Sequence, residues 1–455
     1  MATTEPVQNL NHVPQALLPE ELKQGDPYYT DLSGARGSKA LRKLELSLEQ
    51  AVTTSFPIAH YGFIGHRGSG KSTELKRIAY NLREHYHTIH LELDGSMQSD
   101  LDYPDLLLWM VGQIAEQLTL SGIRPPKDLL NAISSWFATV TQLGESQYKA
   151  EIIAQANTEV SAAMKYFGTG FKMLAGIKSA FTGSSTFRKE SRQEIKMRSE
   201  ELISLVNTYL VNVQNSIGDK KLLIIQDNLD RLDRDSALAL FEESGGILRR
   251  LGATFIWTAP VGSLTAPFNI SSVFDSVTFM PMVSLILRDK SQNKVAIEAF
   301  KSLLGKRLSL QHCLADDATV EALILTSGGS VRDLLKLTND AVLEALVEEQ
   351  RMITLPNIQA AAKSMGLTFQ RALFPHTTYF KILADLHLSQ STTLKFVDDD
   401  EIEDIDGQRS FFHELIISGA IFAYNGDSIW YNVHPSLLCL SDFQKALKHR
   451  KSLAS

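Results

Sequence analysis

Apolar residues recur with two different periods along this chain, and the alternation between them predicts its layout. Leu41, Leu44 and Leu48 stand at helical spacing and lead into an apolar run at 58–64, which reads as a first strand. A glycine-rich turn follows at once. After it Leu75, Ile78, Ala79 and Leu82 mark a helix over 72–83, and a second strand is expected at 88–93. Strand, turn, helix and strand make one right-handed βαβ unit of a parallel sheet. Residues 104–142 read as helices with Trp109 and Trp136 on apolar faces. The run at 222–225, Leu-Leu-Ile-Ile, is apolar throughout, as buried parallel strands are, and further strands are expected at 254–257 and 277–280. From 289 to about 365 the pattern is helical. The last segment mixes helices, at 379–388 and 408–418, with a hairpin at 420–424 and 428–432 turned by Asn425-Gly426.

This pattern predicts an α/β fold and five segments. They are an N-terminal arm at 1–27, expected to be flexible, a core at 28–142 and 218–288, a helical insertion at 143–217, a helical lid at 289–366 and a C-terminal domain at 367–455. Composition changes little in this picture. The chain has 455 residues, 44% hydrophobic and 21% charged, enough for two or three domains. Two cysteines, Cys313 and Cys439, make neither a disulfide framework nor a metal site. Residues 1–18 are polar, without the apolar core of a signal peptide, and no apolar run reaches the roughly 18 residues of a membrane span. The expected compartment is the cytoplasm. A net charge of −7 argues against a protein that coats nucleic acid.

The turn after the first strand carries the chemistry. Gly65-His66-Arg67-Gly68-Ser69-Gly70-Lys71-Ser72 fits G-x-x-x-x-G-K-[ST] and sits between an apolar strand and an amphipathic helix. Glycines let backbone N–H groups converge on phosphate oxygens, and the helix that starts there adds its positive end. Lys71 is placed to reach the outer phosphates, and the Ser72 hydroxyl to ligate magnesium. With Thr73 following, the run Gly65–Thr73 is the expected binding site for a nucleoside triphosphate, ATP with Mg2+. No guanine-specific N/T-K-x-D signature appears, since Asn339-Asp340 lacks the lysine. Asp227, at the end of the 222–225 strand, is the expected second magnesium ligand. The next residue is Asn228, where a brisk ATPase has a glutamate to activate water, and an amide cannot take the proton. Hydrolysis to ADP and phosphate is therefore expected to be slow. Asp230 either stands in for that glutamate or caps a helix over 231–241.

These residues resemble a family. Asp227-Asn228-Leu229-Asp230-Arg231-Leu232 is similar to the D-x-L-D-R-L segment of the STAND and KAP branches of P-loop ATPases, and to AAA+ ATPases related to origin-recognition proteins. The resemblance implies that Thr258, in Phe255-Ile256-Trp257-Thr258-Ala259-Pro260, is the sensor-1 polar residue. It implies that Arg332, in Ser327-Gly328-Gly329-Ser330-Val331-Arg332, is the sensor-2 arginine of the lid. The segment Asp31–Ala40 resembles the one that packs near the base in such proteins. Two alternatives stay open: Thr258 as a satisfied strand-end hydroxyl, and Arg332 as a surface arginine in the first turn of a helix. For the arginine finger of oligomeric AAA+ proteins Arg288, at the lid edge, is the only near candidate, because 262–287 contains neither Arg nor Lys. A nucleotide-controlled switch fits this better than a processive motor.

Partners are expected to be proteins or further copies of the chain. Between Glu159 and Glu190 there is no acidic residue, and 161–182 mixes Lys165, Lys172 and Lys178 with aromatic and aliphatic residues. That composition suits an amphipathic helix at a membrane surface or partner groove, but a mobile flap or a helix packed on the core is preferred. Glycines at 168, 170 and 176 weaken the helix, and 188–215 reads as one long exposed helix. The C-terminal domain is winged-helix-like, which the resemblance also implies, but 367–455 holds 8 basic against 11 acidic residues. Asp398-Asp399-Asp400-Glu401 would repel phosphate, so a protein-contact domain is preferred to a DNA reader. The alternatives to a switch are a DNA-linked AAA+ regulator or loader and a nucleotide-binding scaffold without turnover.

Overall fold

The computed structural model describes residues 5–23, 25–53, 58–98, 100–124, 127–141, 165–166, 168–264, 270, 273–373, 378–390, 414–426 and 428–454. Along the chain, helix α1 (Ala40–Thr53) precedes strand β1 (His60–Gly65), helix α2 (Lys71–Asn81) and strand β2 (Tyr86–Glu92). Helices α3 (Tyr103–Leu120), α4 (Lys127–Val140), α5 (Thr169–Gly183), α6 (Ser185–Met197) and α7 (Ser199–Ser216) follow. Strands β3 (Lys221–Asp227), β4 (Thr254–Ala259) and β5 (Ser276–Met280) complete a sheet. Then come α8 (Lys294–Gly305), α9 (Asp317–Thr326), α10 (Val331–Val347), α11 (Leu355–Leu373) and α12 (Thr378–Ser389). A hairpin of β6 (Ile421–Tyr424) and β7 (Trp430–Val433) and helix α13 (Ser441–Ala454) close the chain.

The sheet has five strands in the order β2-β3-β4-β1-β5. The β2–β3, β3–β4 and β4–β1 pairings are parallel, with Ile224 opposite Phe255 and Phe63 opposite Thr258. This is the α/β class that the apolar runs predict. The inner strands are buried on both faces: Leu223, Ile224, Ile225, Phe255, Ile256 and Trp257 are all fully covered. Each such side chain contributes about 1.5–3 kcal/mol by leaving water. Trp257 also satisfies its indole, which donates to His60 Nδ1 at 3.1 Å, while His60 Nε2 meets the Leu251 carbonyl at 3.2 Å. The chain divides into two compact units. One comprises 45–64 and 79–278; the other comprises 1–44, 65–78 and 279–455.

In the unit built on the sheet, α3 starts with a capping box between Asp102 and Asp105 and buries Leu106, Leu107, Met110, Val111 and Ile114. Helix α5 packs on α3 and α4 with Leu174 and Ile177 buried. Of the readings of 161–182, a helix packed on the core is the one that these two positions support. At Gly170 α4 comes close: a Cβ there would lie 2.1 Å from Asn131 Oδ1, and Ser134 Oγ donates to the Gly170 carbonyl at 2.8 Å. The glycine thus permits helix contact as well as weakening the helix. The long exposed helix expected at 188–215 is instead two helices, broken at Arg198. Their inner faces are covered: Ile195, Leu202, Val206, Tyr209, Leu210 and Val213 are buried. Residues 142–164 of the insertion lie outside the described residues.

In the other unit, α8 to α11 enclose a core of Phe300, Leu304, Leu323, Leu334, Leu337 and Ala341. The arm expected to be flexible is part of this core. Leu10, Val13 and Leu17 are buried in it, and Val7 exchanges backbone hydrogen bonds with Arg307 and Ser309 at 3.0 and 2.8 Å. Their i, i+3, i+7 spacing is a helical stripe that the polar composition of the arm concealed. Helix α12 packs on α13, and β6 pairs antiparallel with β7, Ile421 opposite Val433. The expected helix at 408–418 falls outside the described residues up to 413, as does the acidic run at 398–404.

Candidate functional site

Strand β1 ends at Gly65 and α2 begins at Lys71, so the phosphate-loop motif is the turn between them. Its glycines answer to backbone geometry. Gly68 has φ 84° and Gly70 φ 93°, values that side chains of L residues rarely tolerate. A Cβ on Gly65 would lie 2.6 Å from the Met280 carbonyl. A Cβ on Gly68 would lie 2.7 Å from Ser330 Oγ and 2.9 Å from Arg332 Cβ.

The carbonyl oxygens of Gly65, His66, Gly68, Ser69 and Gly70 are engaged. Lys71 Nζ donates to Gly65 O at 2.8 Å and to His66 O at 2.7 Å. Ser69 Oγ also donates to His66 O, at 2.9 Å. The Arg332 N–H donates to Gly68 O at 3.4 Å, Arg36 Nη2 to Ser69 O at 2.5 Å, and the Glu74 N–H to Gly70 O at 3.1 Å. With those carbonyls tied to the protein, the Gly70 N–H and the first N–H groups of α2 are left able to meet an anion. That arrangement fits a bound polyphosphate. Lys71 is buried, and Ser72 and Thr73 lie in the first turn of α2. Thr73 Oγ1 accepts from the Leu22 N–H at 3.4 Å.

His66 is used in a way that the motif does not announce. Its ring is 2% exposed, and Nε2 accepts the main-chain N–H of Ala423 on β6 at 2.7 Å. Burial, with Lys71 nearby, holds the imidazole down to a pKa of about 3, so it is neutral with its proton on Nδ1. Arg332 is the second residue of α10, whose N-cap Ser330 accepts from the Asp333 N–H at 3.2 Å. Gly65, His66, Gly68, Ser69, Gly70, Lys71 and Arg332 therefore meet within one unit.

Asp227, Asn228, Asp230 and Thr258 meet in the other. Asp227 ends β3 and is 1% exposed; Oδ1 accepts the Asn228 N–H at 2.7 Å, and Oδ2 lies 3.4 Å from His90 Nε2. Asn228 has φ 67°, and this left-handed residue turns the chain from β3 into a 3-10 turn at Leu229–Arg231. Asparagine is among the few residues other than glycine that tolerate it. Asp230 lies in that turn, 9% exposed, and it is not the cap of the following helix. Asp233 is, accepting the Ser236 N–H at 2.7 Å ahead of Arg234–Ala237, because the 3-10 turn postpones the helix start. Thr258 Oγ1 accepts the Leu229 N–H at 3.0 Å and donates to the Gln226 carbonyl at 3.3 Å. It pins the turn that follows Asp227.

Sequence reasoning did not single out Arg36 or His90, and it assigned His66 only to the loop. Arg36 lies in the 31–40 segment noted for its resemblance, but no periodicity marks it. Among the described residues no group of three or more His, Cys, Asp or Glu could hold a metal ion, and no helix is long and apolar enough to cross a membrane.

No protein-family model and no curated protein sequence matches the chain. Among solved structures it is similar to the Holliday junction branch migration motor RuvB of Thermotoga maritima, with a TM-score of 0.37 and 12% identity over 93% of this chain and 98% of that one. Two variants of the same motor give TM-scores of 0.35 and 0.36 at 13% and 12% identity, over 93% of this chain and 98% and 97% of theirs.

Proposed function

We propose that this chain is a P-loop ATPase of the AAA+/STAND kind that works as a slow nucleotide-controlled switch. One observation carries the reading: lid helix α10 and hairpin strand β6 are both hydrogen-bonded to the phosphate loop, through Arg332 N–H to Gly68 O and Ala423 N–H to His66 Nε2. A loop that rearranges around phosphate must alter those contacts, and so carries its occupancy to the lid and the C-terminal segment. ATP with Mg2+ is the proposed ligand. Lys71 would bind the outer phosphates, and Ser72 and Asp227 would hold the cation. Magnesium bound with phosphates keeps several waters and needs no protein cage of its own. Arg332 is the proposed lid sensor and Thr258 the residue that positions the Asp227 turn. Asn228 offers no base for water, which supports slow turnover, with Asp230 as the nearest carboxylate in sequence that is not assigned to the cation. The changed surface is proposed to recruit a protein partner or another copy of the chain.

The test is magnesium-dependent ATP turnover by the full chain beside Lys71→Ala, with mass measured in each nucleotide state. Slow turnover lost in Lys71→Ala, together with a change of mass or shape on ATP, is the expected result. Absence of nucleotide binding would overturn the reading. Binding without turnover or any change of state would leave a scaffold.

A further inference from the structure

We infer that Arg36 is a positioning residue of the phosphate loop, acting through the Ser69 carbonyl to aim the Gly70 amide at bound polyphosphate. The inference deepens the nucleotide-binding reading and rests on it.

Arg36 ends the short helix Ser33–Arg36, and Gly37 caps that helix in the left-handed region at φ 59°. The side chain is 3% exposed, so a guanidinium is buried against the loop. Nη2 donates to Ser69 O at 2.5 Å. Nε and Nη1 are buried without a hydrogen-bond partner, although Glu74 Oε1 stands 3.8 Å from Nη1 as a countercharge. Glu74 is itself held by Arg77 Nε at 2.8 Å. Burial lowers the Arg36 pKa and Glu74 opposes the shift, and an arginine stays charged under such a pull. Burying a cation with two unbonded donors is unfavourable, and an apolar side chain would fill this space more readily. The arrangement is explained if the charge serves the loop.

The geometry says how. A peptide unit is planar and trans, so its C=O and N–H point in opposite directions. Ser69 O and Gly70 N–H belong to one peptide unit. Gripping the oxygen from the Arg36 side turns the Gly70 N–H to the other side, where it has no protein acceptor among the described residues. Gly70, at φ 93°, is a residue whose peptide would otherwise turn freely. A Cβ on Gly70 would lie 3.6 Å from Arg36 Nη2, so the guanidinium lies directly against the loop at this point. Arg36 thus pre-sets one phosphate donor before ligand arrives, and its effect is on the polyphosphate, whatever base is attached.

The test is calorimetric titration of the full chain with MgATP and with magnesium tripolyphosphate, for the unaltered protein, Arg36→Met and Arg36→Lys. Methionine fills the space without charge or donors; lysine keeps a donor for the Ser69 carbonyl. Expected for Arg36→Met is about a tenfold loss of affinity, equal for both ligands, with Arg36→Lys recovering part of it. Thermal unfolding without ligand shows whether each variant is folded. Affinities within twofold of the unaltered protein in both variants overturn the inference. So does a loss for ATP alone, which would place Arg36 on the base, and so does an Arg36→Lys no better than Arg36→Met. If the unaltered chain binds neither ligand, the nucleotide-binding reading itself fails.

Discussion

His66 Nε2 accepts the main-chain N–H of Ala423 at 2.7 Å, joining the phosphate loop to a strand 357 residues further along. The ring packs edge-on against Phe422, with centroids 5.4 Å apart. Ala423 in turn accepts the Met282 N–H at 3.1 Å, so β6 also holds the segment just beyond β5. The bond exists only while Nε2 is unprotonated.

This makes stability pH-dependent in a definite direction. In the folded chain the His66 pKa is held at about 3, against an ordinary 6.5. Between those values the unfolded chain binds the proton more readily, so the contribution is complete above pH 6.5 and is lost as pH falls toward 3. The slope is at most ~1.4 kcal/mol per pH unit. His66→Gln keeps an acceptor that does not titrate. Denaturant unfolding from pH 4 to 7 (a range of about three units) is expected to show a shallower slope in His66→Gln than in the unaltered protein.

Gly68→Ala is expected to destabilise the folded chain by about 1–3 kcal/mol, since the residue is left-handed and its Cβ would meet Ser330 and Arg332. The distinctive consequence is local. Hydrogen exchange at the Arg332 amide, which bonds Gly68 O, is expected to accelerate more than exchange in the interior of α10.

At Asn228 the backbone decides which substitution is informative. Glutamate in this left-handed position is expected to lower stability by about 1 kcal/mol, because asparagine and aspartate tolerate it far better. Asn228→Asp adds a carboxylate in nearly the same shape. Its ATP turnover is expected to rise by roughly tenfold over the unaltered protein if water activation is limiting. An unchanged rate in Asn228→Asp would show that the missing base is not what limits hydrolysis.

Thr258→Val leaves the buried Leu229 N–H without its acceptor and is expected to cost about 1–3 kcal/mol. Thr258→Ser keeps the hydroxyl and is expected to lose much less. Thermal unfolding of the two variants separates the hydrogen bond from the methyl group.

Much of this was legible along the chain because it is local. Five strands and most helices follow from apolar runs and 3.6-residue spacing, which neighbouring residues impose on one another. The phosphate loop follows from the glycines and lysine that a polyphosphate requires within eight positions. Even the errors were local competitions. Asp230 yielded its capping role to Asp233 because a 3-10 turn came first, and Arg198 divides a helix whose apolar residues keep the same period across the break.

Tertiary structure decided what lies far apart in sequence. The packing of Leu10, Val13 and Leu17 depends on a core formed almost wholly after residue 283. Arg36 reaches Ser69 across 33 residues, and His66 reaches Ala423 across 357. No period links such pairs. A buried donor or acceptor takes whatever partner the folded chain brings within about 3 Å, because leaving it unsatisfied is costly. The sequence by itself determined where the glycine-rich loop proposed to hold phosphate lies; only the fold determined which distant residues hold that loop in shape.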